Sequence, residues 1–94
     1  MRLEWSALAS EDRSAIFDYI EADSPTAAIK VDDRIRHQVE QLTQSPEMGH
    51  RGRIEGTREL IIGHTPYIAA YLVAGDIVRI LRVLHGAQQW PVEL

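Results

Sequence analysis

A change of hydrophobic periodicity half-way along the 94-residue chain limits the folds open to it. Up to Gln44 the apolar residues recur every three to four positions, which is the spacing of amphipathic helices. Beyond Gly56 they fall in short runs rich in β-branched and aromatic residues, which favour strands. A chain of this length forms one domain, so we expect residues 1–94 to fold as a single α+β unit.

The first segments of the chain predict a strand followed by a helix. Leu3–Trp5 alternates apolar and polar side chains, as a short strand does. Ser6 or Ser10 then provides the N-cap of a helix that ends near Ala22. We expect the buried face of this helix to carry five residues at helical spacing, namely Leu8, Ala15, Ile16, Tyr19 and Ile20.

A restart signal at Ser24 and Pro25 predicts a second helix. Ser24 suits the N-cap, and Pro25 suits the first helical position, where a backbone N–H is not needed. The apolar periodicity then continues to about Gln44 through Ala28, Val31, Ile35, Val39 and Leu42. Because the link between the helices is short, we expect an antiparallel helical hairpin.

Three strands are predicted after a glycine-rich loop, which spans Pro46–Gly56. They are joined by hairpin-sized connections and span Thr57–Ile62, Tyr67–Val73 and Ile77–Leu84. The predicted order is therefore β-α-α-β-β-β, an antiparallel sheet packed against an N-terminal helical hairpin. The tail from Gly86 carries Trp90 and is expected to pack on the edge of the domain.

The charge of the chain disfavours a protein that grips nucleic acid through many phosphates. The formal net charge is −4, and Lys30 is the only lysine. A cationic surface has to come from residues 47–94, which hold five acids, five Arg and three of the four His. Arg suits bidentate contact with a carboxylate or a phosphate.

Some classes of site are disfavoured by what the sequence lacks. There is no Cys, which excludes disulfides and thiolate chemistry. The four His follow no metal-ligand spacing, so we expect neither a metal site nor a cofactor. The longest apolar run, Tyr67–Ala74, is far too short for a membrane span, and the N-terminus lacks a signal-peptide core. We therefore expect a cytoplasmic protein with no membrane partner.

The residues of the second half include candidates for metal-independent RNA cleavage. That reaction needs a base for the 2′-OH proton, an acid for the leaving oxygen, and cations for the charged phosphorane. His85 is the candidate acid or base, because imidazole titrates near neutral pH. Arg58, Arg79 and Arg82 are candidate phosphate contacts, and Glu55 is a candidate base at the edge of the loop.

Structural roles are an open alternative for the same residues. His85 suits a hydrogen bond within the turn after the last strand, and Glu55 suits a solvated loop. Arg58 and Glu59 suit an ion pair on an exposed strand face. Strict alternation along the last strand places Arg82 on the face opposite His85, and on the face of His85 it places Arg79, Leu81 and Val83.

The ordered set of residues resembles the RelE/ParE superfamily of toxins over nearly the whole chain. The matching pieces in the first half are Trp5 with Ala7, the helix of Asp12, Ile16, Tyr19 and Ile20, then Ala27 and Ala28, and finally Leu42, Ser45, Pro46 and Gly49. Those in the second half are Gly56–Leu60, Pro66–Ile68 with Tyr71, Ile80–Ala87 and Gln89–Pro91. The resemblance implies the toxin component of a type II toxin–antitoxin module, with a cognate antitoxin as its partner.

The resemblance implies one of two activities. RelE-like members enter the ribosomal A site and cut mRNA, often with a functional residue just beyond the last strand, where this chain has His85. ParE-like members inhibit DNA gyrase. RelE-like nucleases are usually strongly basic and many carry an Arg where this chain has Tyr67. The acidic charge and the ending His85–Pro91 therefore favour the ParE-like branch. The RelE-like alternative would make the chain a metal-independent mRNA endoribonuclease, so the sequence leaves open whether it is an enzyme.

Two further expectations follow from the resemblance. The residues expected to contact the target or the antitoxin are Arg58, Tyr67, Tyr71, Arg79 and Trp90. DNA is expected to be contacted only indirectly, through the antitoxin. A third alternative is an inactive interaction module that keeps the fold and has lost its target.

Overall fold

The computed structural model describes all 94 residues, Met1–Leu94, as a helical hairpin packed against a five-stranded sheet. The elements in chain order are β1 (Arg2–Trp5), α1 (Ala7–Glu21), α2 (Pro25–Glu40), β2 (His50–Arg51), β3 (Arg58–Ile61), β4 (Tyr67–Ala74) and β5 (Ile77–His85). A 3-10 turn over Gln41–Thr43 extends α2 to nearly its predicted end. Neither helix is long and apolar enough to cross a membrane.

Serine caps begin both helices. Ser6, and not Ser10, is the N-cap of α1, where its hydroxyl accepts the N–H of Ala9 at 3.0 Å. Ser24 caps α2 by accepting the N–H of Ala27 at 3.2 Å, with Pro25 as the first helical residue. Each cap satisfies one of the N–H groups that the first turn of a helix leaves unpaired. The predicted start of the second helix at Ser24 and Pro25 and the predicted helical hairpin are thus confirmed.

The buried face of α1 differs from the prediction. Ile16 and Ile20 pack on the core as expected, but they do so in line with Ala9, which is fully buried. Three residues that the prediction placed on the buried face are exposed, namely Leu8 (50%), Tyr19 (78%) and Ala15. Because successive helical residues are about 100° apart, a stripe centred on Ala9 leaves its neighbour Leu8 on the flank of the helix.

The core lies between the hairpin and one face of the sheet. On α2 and the turn after it, the predicted apolar positions Ile35, Val39 and Leu42 are all fully buried, as is Ala28. The sheet contributes the residues that face them, which are Leu60, Ile62, Tyr67, Ala69, Tyr71, Val78, Ile80 and Val83. The period of the second helix therefore located its half of the core correctly.

The sheet is mixed, not antiparallel throughout. Its strand order is β1-β5-β4-β3-β2, and β1 pairs in parallel with β5, whereas the other three pairings are antiparallel. Hairpin-sized links fix the pairing of sequential strands. They do not fix where β1 joins the sheet, because the helical hairpin separates β1 from every other strand.

The short strand β2 was not predicted. It consists of His50 and Arg51, which pair with Glu59 and Arg58 of β3 and form the edge of the sheet. The segment lies in the glycine-rich stretch expected to be a loop, and two residues are too few to show an alternating pattern.

A β-bulge in β5 overturns the prediction of which residues share a face. Tyr71 of β4 pairs with Ile80, whereas the preceding residue, Ala70, pairs with Arg82, so that Leu81 is the extra residue. Ile80 and Val83 consequently both enter the core although they are three positions apart. Strict alternation fails at this point. Val83 and His85 share a face and Arg82 lies on the opposite one, as predicted, but Arg79 lies on the face of Arg82, so the prediction that Arg79 and Leu81 share the face of His85 is wrong.

Candidate functional site

Tyr67 and His85, both candidate site residues, meet at one end of the sheet. They are directly paired between the start of β4 and the end of β5, with ring centroids 5.6 Å apart and an edge-on angle of 84°. Tyr67 is 8% exposed, and burial, with a further contribution from Tyr19 of α1, raises the pKa of its hydroxyl. Tyr67 therefore presents a neutral hydroxyl at neutral pH.

The hydrogen bonds of His85 organise the turn that follows β5. Its ring Nδ1 accepts the N–H of Ala87 at 3.0 Å, and its backbone N–H donates to the Gln88 side chain at 2.8 Å. A ring nitrogen that accepts a hydrogen bond carries the lone pair, so the proton of the neutral imidazole lies on Nε2. The alternative structural role proposed for this residue matches its geometry.

Arg82 is bound through one edge of its guanidinium, that of Nε and Nη2, by Asp12 of α1. The Nε and Nη2 atoms of Arg82 donate to the two carboxylate oxygens at 2.8 and 3.0 Å. The same carboxylate accepts the backbone N–H of Val83 at 2.9 Å. The side chains of Arg82 and Asp12 are only 21% and 15% exposed, and the bond from Asp12 raises the pKa of Arg82. The guanidinium therefore joins helix to sheet.

Arg79 is engaged at the opposite end of β5. It pairs across to Glu4 of β1, and its Nη1 lies 2.6 Å from the carboxylate. Both side chains are nearly half exposed, and an exposed ion pair of this kind contributes about 0–1 kcal/mol. Of the candidate cations, Arg79 is therefore the one most easily released to an external partner.

Arg58 and Tyr71 hold the segment between α2 and β2 on the sheet. Arg58 donates to the backbone carbonyl of Gly49 at 2.7 Å. The fully buried hydroxyl of Tyr71 donates to the backbone carbonyl of Pro46 at 2.7 Å. The same hydroxyl accepts the N–H of Gly49 at 2.9 Å. A Cβ at Gly49 would lie 2.6 Å from this oxygen, so only glycine fits. Burial raises the pKa of Tyr71, which offers no surface to a partner.

Glu59 is buried, so its expected pairing with Arg58 on an exposed face is wrong. Only 3% of the Glu59 side chain is exposed, and its carboxylate accepts three hydrogen bonds from Arg53, from the backbone N–H, Nε and Nη2, at 2.8, 3.0 and 3.1 Å. His50 lies 3.7 Å from the same carboxylate. Burial by itself raises the pKa of Glu59, but the bonds and charge of Arg53 outweigh it and hold the pKa below its ordinary value.

The C-terminal tail places Trp90 against the ion pair of Arg53 and Glu59. The Arg53 guanidinium lies over the indole, 3.7 Å from the ring centroid, and the indole N–H donates to the carbonyl of His85 at 3.3 Å. The tail therefore packs on the domain as predicted, and a cation–π contact of this kind contributes about 0.5–2 kcal/mol. Arg53 was not a predicted site residue, because nothing in a glycine-rich loop signals which residue faces a buried carboxylate.

The candidate residues for RNA cleavage are not gathered at one point. Arg58 pairs with Tyr71 and His85 pairs with Tyr67, four positions apart along β4. At about 3.4 Å per residue and about 4.8 Å between strands, their Cα atoms are separated by about 14 Å along the sheet and about 10 Å across it. Arg79 lies one position further from His85 than Arg58 does, measured along β4.

Glu55 is remote from His85 as well. It is exposed in the turn between β2 and β3, beyond the Arg58 end of β3. The structure therefore brings together Tyr67, His85 and Trp90, and it separates Arg58 and Arg79 from His85 along the sheet. No three His, Asp or Glu side chains are grouped so that they could hold a metal ion.

The fold and sequence match known toxins over most of the chain. Residues 3–90 match the family described as the ParE toxin of the type II toxin–antitoxin system parDE. The chain belongs to this family. The toxin also resembles a solved structure titled "Chromosomal ParDE TA system from P. aeruginosa", with a TM-score of 0.81 and 31% identity over 90% of this chain and 95% of that one.

Relatives of the toxin carry names from both branches of the superfamily. It is 43% identical to the putative toxin Y4kP of Sinorhizobium fredii over 90 residues. This match covers 96% of this chain and 93% of the relative. The toxin is 40% identical over 86 residues to toxin RelE2 of Caulobacter vibrioides, which covers 89% of this chain and 91% of that one. The predicted α+β toxin fold and the type II toxin–antitoxin assignment are thus confirmed, while the names do not distinguish the molecular target.

The buried Glu59 carboxylate predicts a pH-dependent contribution to the stability of the toxin. Because its folded-state pKa is depressed, the contribution is present above the unfolded-state value of about 4.3 and is lost as the pH falls through the folded-state value. We expect Glu59→Gln to lower the free energy of unfolding by about 1.5–3 kcal/mol at neutral pH, because it weakens charge-assisted hydrogen bonds. Denaturant unfolding from neutral to acid pH measures this effect. The difference in the free energy of unfolding between Glu59→Gln and wild type should become smaller as the pH falls below the unfolded-state pKa.

Glu55→Gln is the matched control, because Glu55 is exposed in the neighbouring turn. This variant should follow the wild type at every pH. A Glu59→Gln deficit of the same size in acid and at neutral pH would contradict the assigned ionisation.

Proposed function

We propose that the toxin inhibits growth by binding and inhibiting DNA gyrase, and not by cutting RNA. The observation that carries this proposal is the dispersal of the candidate nuclease residues. Arg58, Arg79 and Glu55 lie far along the sheet from His85, and the fork of Arg82 is already bound by Asp12. A general acid or base and its phosphate contacts must surround the same scissile bond.

Two further observations support a binding mode of action. The net charge of −4 disfavours a protein that must grip ribosomal RNA and mRNA through many phosphates. The family description names the parDE system, whose toxins the resemblance links to gyrase.

The second candidate function is mRNA cleavage, which the name of the relative RelE2 favours.

The exposed flank of α1 supports a binding surface for the antitoxin. Leu8 and Tyr19 lie on this flank, 50% and 78% exposed, with the exposed Ala15 between them. Tyr19 also lies close enough to Tyr67 to raise the pKa of that residue, so the flank adjoins the Tyr67–His85 end of the sheet. An amphipathic segment of the antitoxin that packs on the flank would therefore cover this end as well.

Early effects on macromolecular synthesis distinguish the candidate functions. The toxin is induced without its neighbouring antitoxin gene, and DNA and protein synthesis are followed by pulse-labelling. We expect DNA synthesis to fall first, with filamentous cells. An earlier fall in protein synthesis, together with cleaved mRNA, would assign the toxin to the nucleases, and the absence of any growth defect would indicate an inactive interaction module.

Substitution of His85 sharpens this test. A binding mode predicts that His85→Ala retains most of the growth inhibition at equal protein level, because the ring serves a surface turn. A nuclease that used His85 as general acid or base would lose about 10²–10⁴-fold in activity. His37→Ala, an exposed histidine substitution on α2, is the matched control.

Charge introduced on the flank of α1 should release the antitoxin. We expect the double variant Leu8→Glu, Tyr19→Glu to bind the co-expressed antitoxin at least about 100-fold more weakly than wild type, since each removes an apolar anchor and buries a charge. The affinities are compared by calorimetry on purified proteins. Ile61→Glu is the control, because Ile61 is 61% exposed on β3, away from α1. An unchanged affinity for the double variant would place the antitoxin elsewhere.

A further inference from the structure

An arginine-lined groove lies at the hairpin between β2 and β3. Trp90 lies between this groove and the Tyr67–His85 end, because its indole packs on Arg53 and donates to the carbonyl of His85. The groove has a volume of about 540 Å³ and no apolar side chain among its lining residues. The charged residues that line it are Arg51, Arg53, Glu55 and Arg58. Three Arg against one Glu leave the lining with a charge of +2 on a chain whose net charge is −4. The groove is therefore a local exception to the overall charge.

The three guanidinium groups differ in how far they are already engaged. Arg53 is neutralised by the buried Glu59, which accepts hydrogen bonds from its Nε and Nη2 atoms. Arg58 donates through Nη1 to backbone carbonyls of the segment before β2 and has no carboxylate partner. Arg51 is exposed and forms no ion pair. Arg51 and Arg58 thus supply the positive charge that the molecule does not use internally.

The backbone beside these side chains is unpaired on its outer side. β2 is the edge strand of the sheet, and its neighbour Gly52 donates to the carbonyl of Thr57 at 2.8 Å. In an antiparallel ladder, hydrogen-bonded and non-hydrogen-bonded pairs alternate, so the pair of Arg51 with Arg58 is a non-hydrogen-bonded one. The N–H and C=O of Arg51 consequently point away from β3, towards solvent at the open edge.

We infer that this edge binds an extended acidic segment of a partner protein, which adds as a further strand beside β2 and places its carboxylates on Arg51 and Arg58. Strand addition uses the outward N–H and C=O of Arg51 for affinity, while the guanidinium groups select for acidic side chains. Alternate residues of an extended strand are about 7 Å apart on one face, so an alternating acidic pattern presents a row of carboxylates. An amphipathic helix gains nothing here, because the groove has no apolar lining.

Charge favours a peptide over a nucleic acid as the occupant. Only two unneutralised guanidinium groups are available, whereas nucleic-acid binding proteins commonly neutralise about 6–10 phosphates. Glu55 at the groove and the net charge of −4 repel an extended polyanion, but they leave room for a short acidic segment. The inference does not depend on whether the toxin acts on gyrase.

The test uses a synthetic peptide of alternating Glu and Thr, titrated to millimolar concentration into the isotopically labelled toxin and followed by NMR. We expect saturable shifts at the hairpin and slower hydrogen exchange of the Arg51 amide in the bound state. Arg51→Glu should weaken binding at least about tenfold, and Arg51→Gln should weaken it by a smaller factor. The matched control, Arg2→Glu, changes an exposed arginine on the opposite edge strand, β1, and should alter the affinity less than about twofold.

Three outcomes would overturn the inference. Equal binding of a Gln and Thr peptide would remove the role of charge, and an unprotected Arg51 amide in the bound state would remove strand addition. A short single-stranded oligonucleotide that shifts the same amides at lower concentration than the peptide would assign the groove to nucleic acid. Thermal unfolding of each variant confirms that it is folded, and none of these measurements involves growth inhibition, so failure here is distinct from failure of the proposed function.

Discussion

The arrangement of the domain depends on one carboxylate, that of Asp12. β1 ends at Trp5, so the second half of β5 has no strand neighbour on its outer side. There Asp12 accepts the outward N–H of Val83 and the Nε and Nη2 donors of Arg82. An unpaired strand edge is a site for unwanted association, and the start of α1 covers it instead. Both partners are largely buried, so their pairing stabilises the structure only because these bonds are satisfied together.

This anchoring of α1 determines which surfaces the toxin presents. The helix is fixed with Ala9 towards the core, which leaves Leu8 and Tyr19 on its outer flank next to the Tyr67–His85 end of the sheet. The opposite edge, at β2, carries unneutralised arginines beside an unpaired backbone. One surface is apolar and aromatic and the other is cationic and polar. The toxin therefore presents two chemically different surfaces.

Periodicity and turn residues predicted most elements of the fold, and the prediction failed where a contact leaves no periodic pattern in the sequence. Helical period and the cap at Ser24 located the hairpin and the part of the core that α2 provides, and turn residues located three of the strands. The parallel pairing of β1 with β5 depends on contact between segments far apart in the chain. The bulge at Leu81 and the pairing of Glu59 with Arg53 join nearby residues, but neither leaves a periodic pattern in the sequence. Among the candidate site residues, Tyr67, His85 and Trp90 do lie together. The bulge separated Arg79 from the face of His85, a displacement of one residue that no periodicity reveals.

A double-mutant cycle on Asp12 and Arg82 measures whether this link holds the helical hairpin to the sheet. Asp12→Ala removes the partner of both Arg82 and the Val83 N–H, and we expect it to lower the free energy of unfolding by about 3 kcal/mol. With Arg82→Ala as the second single variant, denaturant unfolding should give a coupling energy of at least about 1 kcal/mol, together with faster exchange of the Val83 amide in Asp12→Ala. If the two single substitutions have additive effects on the free energy of unfolding and the exchange rate of the Val83 amide is unchanged, Asp12 does not link the hairpin to the sheet.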